Sequence, residues 1–118
     1  MNTYIYLSTC NTCMRILKEL DLPKETHLQD VKQQPISSSQ LQELYQITHS
    51  YEVLINKRSK VYAALKKVGT TFDETLFKKL LLTEYSCLKR PILFWDGQYH
   101  IGNAKNTVAM MQQAVHGQ

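Results

Sequence analysis

Cys10 and Cys13 stand near the start of the chain with only Asn11 and Thr12 between them. A cysteine attacks as its thiolate, and a free thiol with a pKa of about 8.5 is mostly protonated at neutral pH. At the first turn of a helix a sulfur meets backbone N–H groups that have no partner within the helix, and these stabilise its negative charge. Cys10 lies just past a run that reads as a strand and just before an amphipathic helical pattern, which is where an attacking thiol belongs. Cys13 is one helical turn further on and on the same side. From there it can attack a mixed disulfide at Cys10 and close an internal bridge. Thr12 adds a hydroxyl to the loop, and Arg15 adds positive charge to the first turns. Between a first strand and a helix, Cys-x-x-Cys is a redox signal.

Two other readings of the pair compete with this one. A zinc site needs a second pair of ligands, but His27, His49, His100, His116 and Cys87 show no paired spacing, so no metal is expected. Alternatively, Cys13 is a small core residue on the apolar helix face and Cys10 is incidental. A partly buried resolving thiol has the same pattern, so spacing alone leaves that choice open. The total of three cysteines is odd, which argues against the disulfide framework of a secreted protein.

The elements that must position the pair follow from hydrophobic period and turn chemistry. Thr3 to Ser8, rich in aromatic and β-branched residues, reads as a buried strand. Cys13, Ile16, Leu17 and Leu20 form one apolar helix face, and Pro23 stops that helix. A second strand is expected around Thr26 to Val31. Ser37 with Gln40 fits a capping box opening a helix that carries Leu41, Leu44 and Ile47 inward. Tyr51 to Val68 reads as helical, with Val61, Ala64, Leu65 and Val68 inward and Gly69 as its stop. Thr71 with Glu74 suggests another capping box, before a helix burying Leu76 and Leu80, with Phe77 and Leu81 beside them. Ile92 to Trp95 and Gln98 to Ile101 form a hairpin through Asp96-Gly97. Ala104, Val108, Met111 and Val115 line a closing helix. The order implies an α/β fold, a small mixed four-stranded β-sheet with helices packed around it, in a single domain over residues 1–118.

The 118 residues carry 14 basic and 10 acidic side chains, a net charge of +4. The densest basic stretch, Lys57, Arg58, Lys60, Lys66 and Lys67, reads as a solvated helix face, so no sequence-specific nucleic-acid binding is expected. No run approaches the ~20 apolar residues that span a bilayer. Met1 to Tyr6 lacks the basic-then-apolar order of a secretory leader. A cytoplasmic location without membrane partners is expected.

Three segments taken together carry a family resemblance: Cys10-Asn11-Thr12-Cys13 with Arg15, then Asn56 to Tyr62, then Leu88 to Leu93 leading to Asp96-Gly97 and Gly102. With them the chain resembles the arsenate reductase (ArsC) and Spx family over essentially its whole length. The resemblance implies a thioredoxin-like fold and a thiol-dependent oxidoreductase with Cys10 attacking. It also implies a cis Pro91 facing the cysteine loop, and an Arg90 guanidinium turned toward the sulfur or toward a bound oxyanion. Cys10, Cys13 and Arg90 are then the catalytic candidates, and Asn11, Thr12, Arg15, Arg58 and Pro91 the substrate-binding ones. The three arginines of the chain each fall within one of the three segments.

The departures from the family pattern concern the substrate. Arsenate reductases hold their oxyanion with several arginines, one of them near the end of the strand hairpin, where this chain has Gly102-Asn103. They also carry an arginine where this chain has Asn56, and they use only the first cysteine of the loop. The second cysteine, with Arg58-Ser59-Lys60-Val61, is more like the Spx branch, whose members sense redox state and bind RNA polymerase. That branch is expected to carry an extended basic tail, which does not follow the last helical pattern in these 118 residues. No bound cofactor is implied, and glutathione, glutaredoxin or thioredoxin is the expected electron donor.

Overall fold

The computed structural model describes residues 1–117. Its chain divides into two compact units, Met1–Gln34 together with the chain from Arg90 onward, and Pro35–Lys89.

The first unit holds the sheet. β1 (Thr3–Tyr6) leads into α1 (Asn11–Leu20), and β2 (His27–Asp30) returns beside β1 in parallel, pairing Thr3 with His27 and Tyr6 with Asp30. β3 (Ile92–Trp95) lies antiparallel on the other side of β1, and β4 (Gln98–Ile101) closes the sheet, giving the order β2-β1-β3-β4. The β3–β4 turn has Asp96 at φ 47° and Gly97 at φ 82°. Both values are left-handed, as a two-residue hairpin turn with the right twist requires. Asn2 fastens this turn, accepting the Asp96 N–H at 2.9 Å.

α5 (Lys105–His116) completes the first unit. Tyr4 and Leu93 sit opposite one another in the register and share a face of the sheet. On that face they pack with Ile16 and Leu20 of α1 and Met111 of α5, all five fully buried. Val108 and Val115 line the same helix face, as their spacing predicts, while Ala104 is exposed and serves as the α5 N-cap. α5 also satisfies the end of α1. Gln112 donates to the Glu19 carbonyl at 2.8 Å, and the His116 ring contacts the Leu20 carbonyl at 2.6 Å. These are carbonyls that a helix end leaves without partners. α1 stops at Asp21, which is left-handed at φ 48°, two residues ahead of Pro23. β1 itself ends at Tyr6, short of the Ser8 expected.

The second unit is helical: α2 (Ser38–Thr48), α3 (Lys60–Lys67) and α4 (Glu74–Thr83), with single 3-10 turns at Glu52–Leu54 and Tyr85–Cys87. The Ser37–Gln40 capping box is present in both directions. Leu41 and Leu44 are buried as expected, but Ile47 is 55% exposed. Three-residue steps lag a helical turn by about 60° each, so the third member of the series has rotated off the face.

The continuous helix expected from Tyr51 to Val68 is broken. Ile55 pairs with Leu88, the Asn56 N–H donates to the Cys87 carbonyl, and the Lys89 N–H donates to the Leu54 carbonyl, so this segment is extended. α3 starts only where Ser59 caps it through the Tyr62 N–H. Its buried residue is Tyr62, stacked on Phe72, which stacks on Phe77. The face of α3 that carries this aromatic ladder is the one turned inward, in place of the expected face of Val61, Ala64, Leu65 and Val68, and Val68 is 78% exposed. The Thr71–Glu74 capping box does not form. Asp73 caps α4 through the Leu76 N–H, and the Glu74 carboxylate instead accepts the Tyr51 and Glu52 N–H groups. α4 buries Phe77, Leu80 and Leu81, with Leu76 only half-buried.

No helix among the described residues is long and apolar enough to cross a membrane.

Candidate active site

Cys10 is the N-cap of α1, with extended backbone at φ −93° and ψ 111°. Its own N–H donates to the Leu7 carbonyl at 2.9 Å and its carbonyl accepts the Met14 N–H at 3.1 Å, so the turn from β1 into the helix is closed on both sides. The loop is also tied to β2: the Ser8 hydroxyl donates to the Asp30 carboxylate at 2.6 Å, and the Lys32 N–H donates to the same group at 3.2 Å. These bonds hold Asp30 below the ordinary carboxyl range, with the Ser8 hydroxyl the largest cause, against a small upward push from burial.

The Cys10 thiol is half-buried, and burial alone would raise its pKa. Its net position is nevertheless below that of an ordinary thiol. The Cys13 N–H, the Cys13 thiol, the Arg90 charge and the Thr12 N–H all favour the anion. None of the backbone contacts is a strict capping hydrogen bond. They act as dipoles of the helix start directed at the sulfur.

Cys13 has the opposite character. It is fully buried. Burial first, and then the sulfur and charge of Cys10, push its thiol up to about 12, against opposing contributions from the Leu7 N–H and Arg90. The two thiols are thus shifted in opposite directions, Cys10 toward the anion and Cys13 toward the protonated form. No disulfide joins them, and Cys87 is in none either.

Arg90 enters the first unit from the far side of the sequence, at the start of β3. The Arg90–Pro91 bond is cis, as the resemblance implies, and Pro91 is buried. The Pro91 carbonyl accepts the Gly102 N–H at 2.8 Å. Gly102 is itself buried at φ 97°, a backbone conformation that side chains resist. The end of the hairpin thus braces the proline loop, and Asn103 beside it is exposed.

Cys10, Thr12, Cys13 and Arg90 are brought together in this way. The other candidates are placed differently. Asn11 is the exposed first residue of α1. Arg15 is exposed and ion-paired along the helix with Glu19 at 2.9 Å. Arg58 belongs to the second unit, exposed, with its N–H on the Asn56 side chain at 3.1 Å. Cys87 also belongs to that unit, fully buried, with the Ser59 hydroxyl 3.6 Å from its sulfur. Among the described residues no group of His, Cys, Asp or Glu is arranged to hold a metal ion.

Sequence reasoning missed two groups at the site. The Tyr4 hydroxyl donates to the Cys13 carbonyl at 2.7 Å, and the Leu7 N–H favours the Cys13 anion. The first was detectable in principle, because a tyrosine on a buried strand face needs a partner for its hydroxyl. The second is a backbone group and leaves no mark in the sequence.

The family model described as "ArsC family" matches residues 6–111. Among solved structures, the YffB protein superposes with a TM-score of 0.74 at 19% identity, covering 98% of this chain and 99% of its own. An ArsC family related protein from Bacteroides fragilis superposes at 0.72 and 19% identity, covering 93% and 97%. An arsenate reductase from Vibrio cholerae superposes at 0.67 and 19% identity, covering 93% and 96%. The fold is thioredoxin-like. Among curated proteins, none matches the sequence closely enough to count as a relative.

Proposed function

The chain belongs to the ArsC family, and from that premise we propose that it is a thiol-dependent oxidoreductase in which Cys10 attacks and Cys13 resolves. The observation that carries this reading is the unequal pair at the start of α1: a Cys10 sulfur held below an ordinary thiol pKa beside a buried Cys13 held far above it.

The chemistry follows from that inequality. The Cys10 thiolate attacks one sulfur of a disulfide substrate, a new S–S bond forms, and the substrate's other sulfur leaves with the electron pair and takes up a proton. Cys10 then carries no charge and accepts no S–H. Two of the influences that raise the Cys13 pKa disappear, while the Leu7 N–H and Arg90 still favour the anion. Cys13 loses its proton to solvent, attacks the Cys10 sulfur and expels the remaining substrate thiolate. The net result is one substrate disulfide reduced to two thiols and one Cys10–Cys13 disulfide formed. A thiol donor of the glutathione, glutaredoxin or thioredoxin kind restores the reduced pair.

Arsenate is a poor fit as substrate. The hairpin end carries Gly102 and Asn103 instead of an arginine, so a tetrahedral oxyanion lacks one of its expected holders. The same feature, joined to the presence of Cys13, favours a second reading: a redox sensor of the Spx kind, acting on RNA polymerase through the same disulfide.

Peptide mapping after a glutathione disulfide challenge tests the common chemistry. Wild type should show a Cys10–Cys13 bridge, and Cys13→Ser should stall with glutathione on Cys10. A bridge involving Cys87, or no bridge at all, overturns the two-thiol mechanism. Disulfide reductase turnover with a thiol donor then separates the enzyme from the sensor, which forms the bridge without turnover.

A further inference from the structure

Resolution asks more of Cys13 than of most buried residues. Its sulfur must reach the Cys10 sulfur from the far side of the bond that breaks, and it must do so from within the core. Side-chain rotation at Cys13 has one degree of freedom, so the placement of its sulfur depends on where the backbone of residue 13 is held.

That backbone is held by β1. Tyr4 is fully buried between β1 and α1, and its hydroxyl donates to the Cys13 carbonyl at 2.7 Å. A helix carbonyl has a second lone pair available, so this bond adds to the helix ladder without displacing it. Leu7, the residue after β1, accepts the Cys10 N–H on its carbonyl, and its own N–H favours the Cys13 anion. Residue 13 is thus held by β1 at its carbonyl, and residue 10 is tied to the residue that follows the same strand. No other residue of α1 has a side-chain bond to the sheet among the bonds described. The Tyr4 phenol is pushed well above its ordinary pKa, chiefly by burial and then by the two cysteines, so it stays a neutral donor throughout the redox cycle.

We propose that Tyr4 is the positioning residue for the resolving thiol, its hydroxyl fixing Cys13 so that the buried sulfur is aligned on a mixed disulfide at Cys10. The inference rests on the two-thiol reading above and adds to it a residue whose loss affects the second step alone. Cys10 owes its reactivity to the Cys13 and Thr12 N–H groups, the Cys13 thiol and Arg90. Tyr4 instead meets the helix start at the Cys13 carbonyl, which points along the helix away from Cys10, so the phenol bears on the second step and not on the first.

The test is Tyr4→Phe, which keeps the ring in the core and removes only the hydroxyl. Reduced protein is mixed in single turnover with glutathione disulfide. The mixed disulfide is followed by quenched-flow mass spectrometry, alongside the pH profile of Cys10 alkylation. The expected result is a resolution step slowed about tenfold, the scale of one lost hydrogen bond, with the rate of mixed-disulfide formation and the Cys10 profile within twofold of wild type. Tyr4→Leu, which removes the ring as well, should slow both steps because it disturbs the core. Resolution in Tyr4→Phe at the wild-type rate, or equal slowing of both steps, overturns the positioning role. If wild type itself never forms the Cys10–Cys13 bridge, it is the two-thiol reading that fails, and the two failures are told apart in one experiment.

Discussion

Cys13 should be nearly inert in the reduced protein and should gain reactivity when Cys10 loses its charge. A thiol held at about 12 is ionised to roughly one part in 10⁵ at pH 7, against about 3% for a free thiol near 8.5. The anion is therefore scarcer by a factor of about 3,000. A more basic thiolate is intrinsically more nucleophilic, and a Brønsted slope of about 0.45 over that span recovers roughly fortyfold. The net expectation is alkylation on the order of a hundredfold slower than a free thiol, before steric shielding by the core is counted. Cys10→Ser supplies the perturbation, because it keeps nearly the same bulk but puts a neutral hydroxyl where the charged sulfur was. Burial of Cys13 then stays, the Cys10 charge goes, and Cys13 should be alkylated faster at every pH below its midpoint. The assay is iodoacetamide labelling from pH 6 to 10, read at each cysteine by peptide mass spectrometry with glutathione as the reference thiol. Cys13 labelling within tenfold of glutathione in wild type, or a Cys13 rate unchanged in Cys10→Ser, would refute the opposite shifts of the two thiols.

Three further outcomes can be checked with the same protein. Arg90→Ala should move the Cys10 alkylation midpoint upward, since it removes one of the groups that offset burial, and Arg90→Lys should restore part of the shift; an unchanged midpoint in the alanine variant sets the arginine's role aside. Asp30 has a folded-state pKa below its ordinary value, so its contribution to stability is present above the unfolded-state pKa near ~3.9 and is lost as pH falls through the folded value. Asp30→Asn should accordingly lower stability at neutral pH, where the contribution is present, and converge with wild type in acid, so that the acid limb is flatter, a pattern that denaturant melts at pH 2 to 7 would show or exclude. Ser37→Ala removes one half of the α2 capping box and should cost about 1 kcal/mol, measured by denaturant unfolding, with Cys10 alkylation unchanged.

The sheet and its flanking helices were legible because each rests on a short, local signal. The apolar period through Ile16 and Leu20, the Asp96-Gly97 turn and the Ser37–Gln40 capping box all name their structures within a few residues. The middle of the chain was less legible because its outcome is decided at a distance. Nothing between Tyr51 and Val68 announces that Leu54, Ile55 and Asn56 leave the helix to bond with residues 87–89. The Tyr62–Phe72–Phe77 ladder overrides a weaker aliphatic period that runs on the other side of α3. Glu74 has the spacing of a capping partner, yet its carboxylate is drawn to the Tyr51 and Glu52 N–H groups, and Asp73 sits one position nearer to do the capping.

The same division of local from distant runs through the site, and it explains the choice left open by spacing. A cysteine on the apolar face of a helix is the pattern of a core residue, and Cys13 is indeed fully buried. Burial and the resolving role are not competing explanations, because burial is what keeps the second thiol protonated while Cys10 is free. An exposed Cys13 would ionise alongside Cys10, and two like charges one helical turn apart would each raise the other's pKa and blunt the first attack. In the proposed cycle Cys13, kept protonated by the core, becomes competent only after the Cys10 thiolate has been consumed. In that proposed cycle its readiness rests on the Tyr4 hydroxyl, the Leu7 N–H and the charge of Arg90. One of these is a backbone group and another lies at the far end of the chain, so the order of the two steps is set by groups that the Cys-x-x-Cys spacing does not contain.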